Sequence, residues 1–113
     1  MNTTTTNWNR NEFKAYVLLY AANCDHIENR QEREYILSKV DKKTYEKIHY
    51  ELNADNDYQS IQKIISNIDR FDYSENELQR LTAEIMELFL ADDKLDTVEQ
   101  CIFMMLKKIL RKN

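Results

Sequence analysis

Neither glycine nor proline occurs among the 113 residues of this chain, and that double absence limits what it can fold into more than any motif does. Average usage would place roughly a dozen of the two in a chain this long. Without them the strongest helix breakers are gone, and so are the residues that make the tight turns of β-hairpins. Both effects favour helices joined by short polar links. Apolar residues make up 42%, enough for a core and more than a disordered chain carries. A domain of this size buries roughly two-thirds of its unfolded surface and folds without metal or disulfide staples. The expected fold class is all-α, a single-domain bundle of about six helices.

Start signals divide the chain. Residues 1–8 read as a flexible tail, frayed over its Thr/Asn run, and 9–113 as one helical domain. Asn9 with Glu12 forms a capping box, flanked by Trp8 and Phe13 as a hydrophobic staple. Phe13, Tyr16, Val17 and Tyr20 then recur at helical spacing, as one face of a helix running to about Ala22. Asn29 and Glu32 open a second helix, with Tyr35, Ile36, Leu37 and Val40 as its apolar residues. Asp41 caps a third, with Tyr45, Ile48 and Leu52 inward, and Asn53–Asp57 reads as a turn. Tyr58, Ile61, Ile64, Ile65 and Ile68 mark a fourth helix; three- and four-residue spacing outweighs the β-branching of isoleucine. Ser74 with Glu77, stapled by Tyr73 and Leu78, opens a long amphipathic fifth helix. Asp96 and Glu99 cap a sixth, carrying Ile102, Phe103, Leu106, Ile109 and Leu110. Its end holds Lys107, Lys108, Arg111 and Lys112, where cations suit the helix dipole.

The chain also echoes itself. An apolar helix runs into an acidic link and a capped helix restarts, at LLYAANCDHIEN and again at MELFLADDKLDT. Asp25 corresponds to Asp93, Ile27 to Leu95 and Glu28 to Asp96, each 68 residues on. Two such units in one chain pack most simply as a pseudo-symmetric internal repeat of helix–acidic link–helix hairpins around one core. The links are unequal: the first has Asn23 and Cys24 where the second has Ala91 and Asp92. Asp92 and Asp93 follow a helix C-terminus, where negative charge opposes the macrodipole by roughly 0.3–1 kcal/mol. Asp93 and Asp25 have a conformational reason to be there, because a helix C′ position often needs φ > 0 and aspartate is the next choice after glycine. Asp92 has none.

Residues 91–99, ADDKLDTVE, resemble the TerB-like, or tellurite-resistance-associated, α-helical domains, whose hallmark is A-D-G-x-[I/L]-[D/S]-x-x-E opening a helix. Ala91, Asp92, Leu95, Asp96 and Glu99 match; Asp93 stands where the family usually has glycine. In the first copy Cys24 replaces the motif's first aspartate. The likeness in architecture covers about residues 10–112. It implies a stress-associated or regulatory binding module of the kind found alone or joined to DnaJ-type co-chaperones. It also implies that the acidic motif is a metal-contact site, and it carries no catalytic mechanism.

Composition and motifs narrow the function further. A net charge of −4 argues against nucleic acid as the main partner. No apolar run reaches the ~20 residues of a membrane span, and MNTTTTNWNR lacks the plan of a secretion signal. Cys24 and Cys101 therefore read as reduced small hydrophobes, in a cytoplasmic protein. There is no phosphate-cradling glycine loop, no nucleophile elbow and no H-E-x-x-H, so no enzyme is expected and no cofactor is required. The candidate metal ligands are Asp92, Asp93, Asp96 and Glu99, with Asp25 and Glu28 as a weaker first-repeat counterpart, because hard divalent cations take several carboxylate oxygens. Their spacing departs from a calcium-loop pattern, so binding would be weak, and a capped inter-helical turn explains the same residues. Cys24 and His26 fall short of a zinc set, and His49 reads as a half-exposed helix residue. The favoured class is a protein-binding module. Seven tyrosines exceed what the core needs, and Tyr45, Tyr50, Tyr58 and Tyr73 are candidates for an interface, as Phe103, Met104 and Met105 are for a homodimer contact.

Overall fold

The computed structural model describes residues 8–23 and 29–91. Within them lie five α-helices and no strand: α1 Arg10–Asn23, α2 Arg30–Lys39, α3 Lys42–Ala54, α4 Asp57–Arg70 and α5 Glu75–Leu90. None is long and apolar enough to cross a membrane. The expected sixth helix and both acidic links, with Cys24 and Cys101, lie outside the described residues.

Each helix starts where a side chain can take up the backbone N–H groups that a first turn leaves without partners. Asn9 Oδ1 accepts from Glu12 N at 2.8 Å while Glu12 Oε1 accepts from Asn9 N at 2.9 Å. The same reciprocal box joins Asn29 with Glu32 and Ser74 with Glu77. Asp41 caps α3 through Thr44, as expected. A box between Asn56 and Gln59 opens α4 inside the stretch expected only to turn. Links are accordingly short: α2 passes to α3 through Val40 and Asp41, and α3 to α4 through Asp55 and Asn56.

The α4–α5 corner shows how a chain without glycine stops a helix. Asp72 takes φ 54°, the left-handed conformation that aspartate tolerates better than most residues. Tyr73 N then bonds Ile68 O and Asp72 N bonds Asp69 O, both at 3.1 Å, closing a Schellman motif.

Helix α1 is the axis of the fold, and α2, α3, α4 and α5 all pack against it. Its expected single apolar face is a correction: Phe13, Ala15, Tyr16, Val17, Leu18, Leu19, Ala21 and Ala22 are all buried. A helix apolar all round belongs inside a protein, and residues 15–22, AYVLLYAA, are such a run. The outer helices contribute stripes: Ile36 and Val40; Tyr45, Ile48 and Leu52; Ile61, Ile64 and Ile68; Leu81, Ile85, Leu88 and Phe89. Two residues expected inside these stripes face out, Leu37 and Tyr58. Trp8, counted with the tail, is buried. Its ring lies 4.5 Å from Tyr16 and 6.4 Å from Phe13, and its carbonyl accepts from Arg70 at 2.6 Å.

Candidate functional site

The candidate metal ligands Asp92, Asp93, Asp96 and Glu99, their counterparts Asp25 and Glu28, and Cys24 and His26 lie outside the described residues, as do Phe103, Met104 and Met105. Among the described residues no group of three or more His, Cys, Asp or Glu is placed to hold a metal.

What the fold does assemble is a polar network where α1, α3 and α4 meet. Tyr16, buried on α1, donates its hydroxyl to Asp55 Oδ2 at 2.6 Å and lies 2.9 Å from Ser60 Oγ. Lys63 on α4 reaches the same Asp55 oxygen at 2.7 Å and Glu51 Oε2 at 2.9 Å. Glu51 turns its other oxygen to Trp8 Nε1 at 3.1 Å. Lys63 is held by its neighbours: burial opposes its charge, but hydrogen bonds to Asp55 and Glu51 outweigh that and leave its pKa above the ordinary ammonium value. Burial first, then the bond to the Asp55 carboxylate, pushes the Tyr16 phenol above its ordinary range. A neutral phenol, one ammonium and two carboxylates thus lock three helices together, each group engaged by another.

The pattern recurs. Tyr20 donates to Asp57, and Tyr35 to Glu87 at 2.6 Å, tying α1 to α4 and α2 to α5. Both phenols are raised, chiefly by burial and then by their carboxylate partners. So three of the seven tyrosines fasten one element to another. The four named as candidates for a surface are divided. Tyr45 is buried and stacks on His49, whose ring is half-exposed, at 5.5 Å. Tyr73 is half-buried, with the Arg10 guanidinium 4.7 Å from its ring centre. Only Tyr50, 81% exposed, and Tyr58, 71% exposed, present whole rings to solvent.

Two open clefts flank this arrangement. One, about 320 Å³, lies between α1 and the α3–α4 corner and is lined by Tyr20, Asn23, Asn53, Asn56, Asp57 and Ser60 among others. The other, about 240 Å³, lies between α1 and α5, with Arg10, Lys14, Tyr73, Glu77, Arg80 and Glu84 around it. In it Arg10 bonds Glu77 at 2.9 Å and the Phe71 carbonyl at 2.8 Å, and Lys14 meets Glu84 at 3.2 Å. The sequence held no signal for the network, because Trp8 and Tyr16 stand 39 to 44 residues from their partners, and Lys63, 8 and 12 residues from Asp55 and Glu51, meets them only across the α3–α4 corner. No protein-family model, curated protein or solved structure matches the chain.

Proposed function

We propose that the chain is a cytoplasmic, non-enzymatic protein-interaction module, stress-associated or regulatory and of the TerB-like kind, that engages its partner through Tyr50 and Tyr58. The observation that carries this reading is the exposure of those two rings, in a fold that otherwise packs its tyrosines or bonds their hydroxyls. A tyrosine offers a large rigid ring and a polar tip at low entropic cost, which is why tyrosine, with tryptophan and arginine, is enriched at binding hot spots. The commitment of Lys63, Asp55, Glu51 and Tyr16 to one another supports a structural role for the interior polar groups. A sixth helix opened by Asp96 and Glu99 completes the second helix–acidic link–helix unit in this proposal.

The test is crosslinking. Benzoyl-phenylalanine in place of Tyr50 or Tyr58 is expected to yield, on irradiation in cells, an adduct with one common protein. The same group at Glu34, also exposed, is expected to yield none. Adducts at background level from both tyrosine positions would defeat the reading.

A second reading is divalent-cation binding at Asp92, Asp93, Asp96 and Glu99. It is favoured by where α5 ends, at Leu90, with no basic residue in its last turn to offset the acids that follow. Ca²⁺, Mg²⁺, Mn²⁺ or Zn²⁺ at millimolar concentration should then raise the thermal midpoint, and an Asp92→Asn/Asp96→Asn variant should abolish the rise. A wild-type midpoint indifferent to all four ions would remove this reading.

A further inference from the structure

We infer that the α1–α5 cleft receives a single anionic side chain, a glutamate or aspartate of a protein partner; this rests on the reading of the chain as an interaction module. Three cations and two carboxylates line the cleft. Glu77 and Glu84 are matched by Arg10 and Lys14. That leaves Arg80, which donates to no described residue, as a surplus positive charge in a chain whose net charge is −4. Arg80 stands on α5 between Glu77 and Glu84, three residues from one and four from the other, so all three share the face turned to α1. Two cations are held in place beside it. The Arg10 guanidinium is fixed by Glu77, by the Phe71 carbonyl and by the Tyr73 ring. Lys14 is fixed by Glu84 and is only 31% exposed. Holding the cations in advance lowers the ordering cost of binding.

Size and wall chemistry set the kind of ligand. The volume of about 240 Å³ falls below the ~300 Å³ at which small-molecule pockets begin, and it suits one side chain rather than a cofactor. Tyr73 and Leu81 supply an apolar wall for methylene groups, and Asn11 an amide. A planar carboxylate matches the fork of a guanidinium.

The test is a nuclear magnetic resonance titration of the ¹⁵N-labelled chain with a blocked alanine peptide carrying two glutamates, its glutamine counterpart, and inorganic phosphate. Saturable shifts confined to Asn11, Lys14, Arg80 and their neighbours are expected with the glutamate peptide and not with the glutamine one. Arg80→Gln, which breaks no bond within the described fold, should weaken that binding about three- to fivefold, the scale of one exposed ion pair. Absence of localised shifts, equal shifts with the glutamine peptide, or saturation by phosphate alone would each overturn the inference. Crosslinking from positions 50 and 58 without peptide binding would overturn it and leave the wider reading standing. Peptide binding with no crosslinked partner would overturn the assignment of the binding face to Tyr50 and Tyr58 and leave the inference about the cleft standing.

Discussion

Replacing Lys63 by methionine is expected to lower folding stability by about 3 kcal/mol, the lower end of what breaking a buried ion pair costs. The side chain is 12% exposed, and its partners Asp55 and Glu51 are 10% and 29% exposed. Methionine keeps most of the stem and its packing against Tyr16 but removes the one positive charge between two carboxylates. Among the described residues, Asp55 would keep the Tyr16 hydroxyl of α1, and Glu51 the Trp8 Nε1 just before α1, as side-chain donors from outside α3. The desolvation of both acids would then go uncompensated. For a domain of this length the loss corresponds to a fall of roughly 12 °C in the thermal midpoint. Adding Asp55→Asn to Lys63→Met should recover part of it, because a neutral amide costs less to bury than a lone carboxylate. A midpoint within about 2 °C of wild type for Lys63→Met would show that the network does not hold α1, α3 and α4 together.

High pH should unfold the protein through its tyrosines. Tyr16, Tyr20 and Tyr35 have phenol pKa values raised in the folded state, first by burial and then by the carboxylates that accept their protons. A folded-state pKa above the unfolded value means that the folded chain holds its protons more tightly. The stability so contributed is complete below pH ~10, where an unfolded tyrosine titrates, and drains away as pH rises beyond it. Tyr16, fully buried, contributes a loss of about 1.4 kcal/mol for each pH unit above 10. In a titration followed by phenolate absorbance, these three rings should stay silent through pH 10 and ionise together with the loss of helical circular dichroism. Tyr16→Phe should remove its share of the alkaline slope while leaving the transition cooperative. All seven phenols ionising in one step near pH 10, with the helical signal intact, would show that the three hydroxyls are not held as described.

Local features of the fold were legible, and non-local ones were not. Asn9 with Glu12, Asn29 with Glu32, Asp41, and Ser74 with Glu77 announce helix starts because a cap is written within four residues. The box at Asn56 and Gln59 is hidden in the sequence because Asn53–Asp57 is crowded with turn formers, and the same asparagine serves a turn or a cap. The apolar run at 15–22 was visible, but whether such a helix shows one face or none to water depends on how many elements surround it, and four do. A left-handed aspartate ends α4 at Asp72, where Tyr73 can close back onto Ile68; the two positions for which the sequence suggests one, Asp25 and Asp93, lie outside the described residues. The sequence places Tyr16, Tyr20 and Tyr35 on apolar helix faces but gives their hydroxyls no partner, because nothing local joins Tyr16 to Asp55 or Tyr35 to Glu87. Only the folded chain separates the tyrosines that bind its helices together from the two left facing outward.

That separation is the centre of the account, and calorimetry with the partner identified by crosslinking tests it most directly. The Tyr50→Ala/Tyr58→Ala variant should bind at least about tenfold more weakly than wild type, the effect of losing hot-spot rings, with an unchanged thermal midpoint because both rings lie in solvent. Unchanged affinity in the double variant would contradict the claim that these two tyrosines make the binding face.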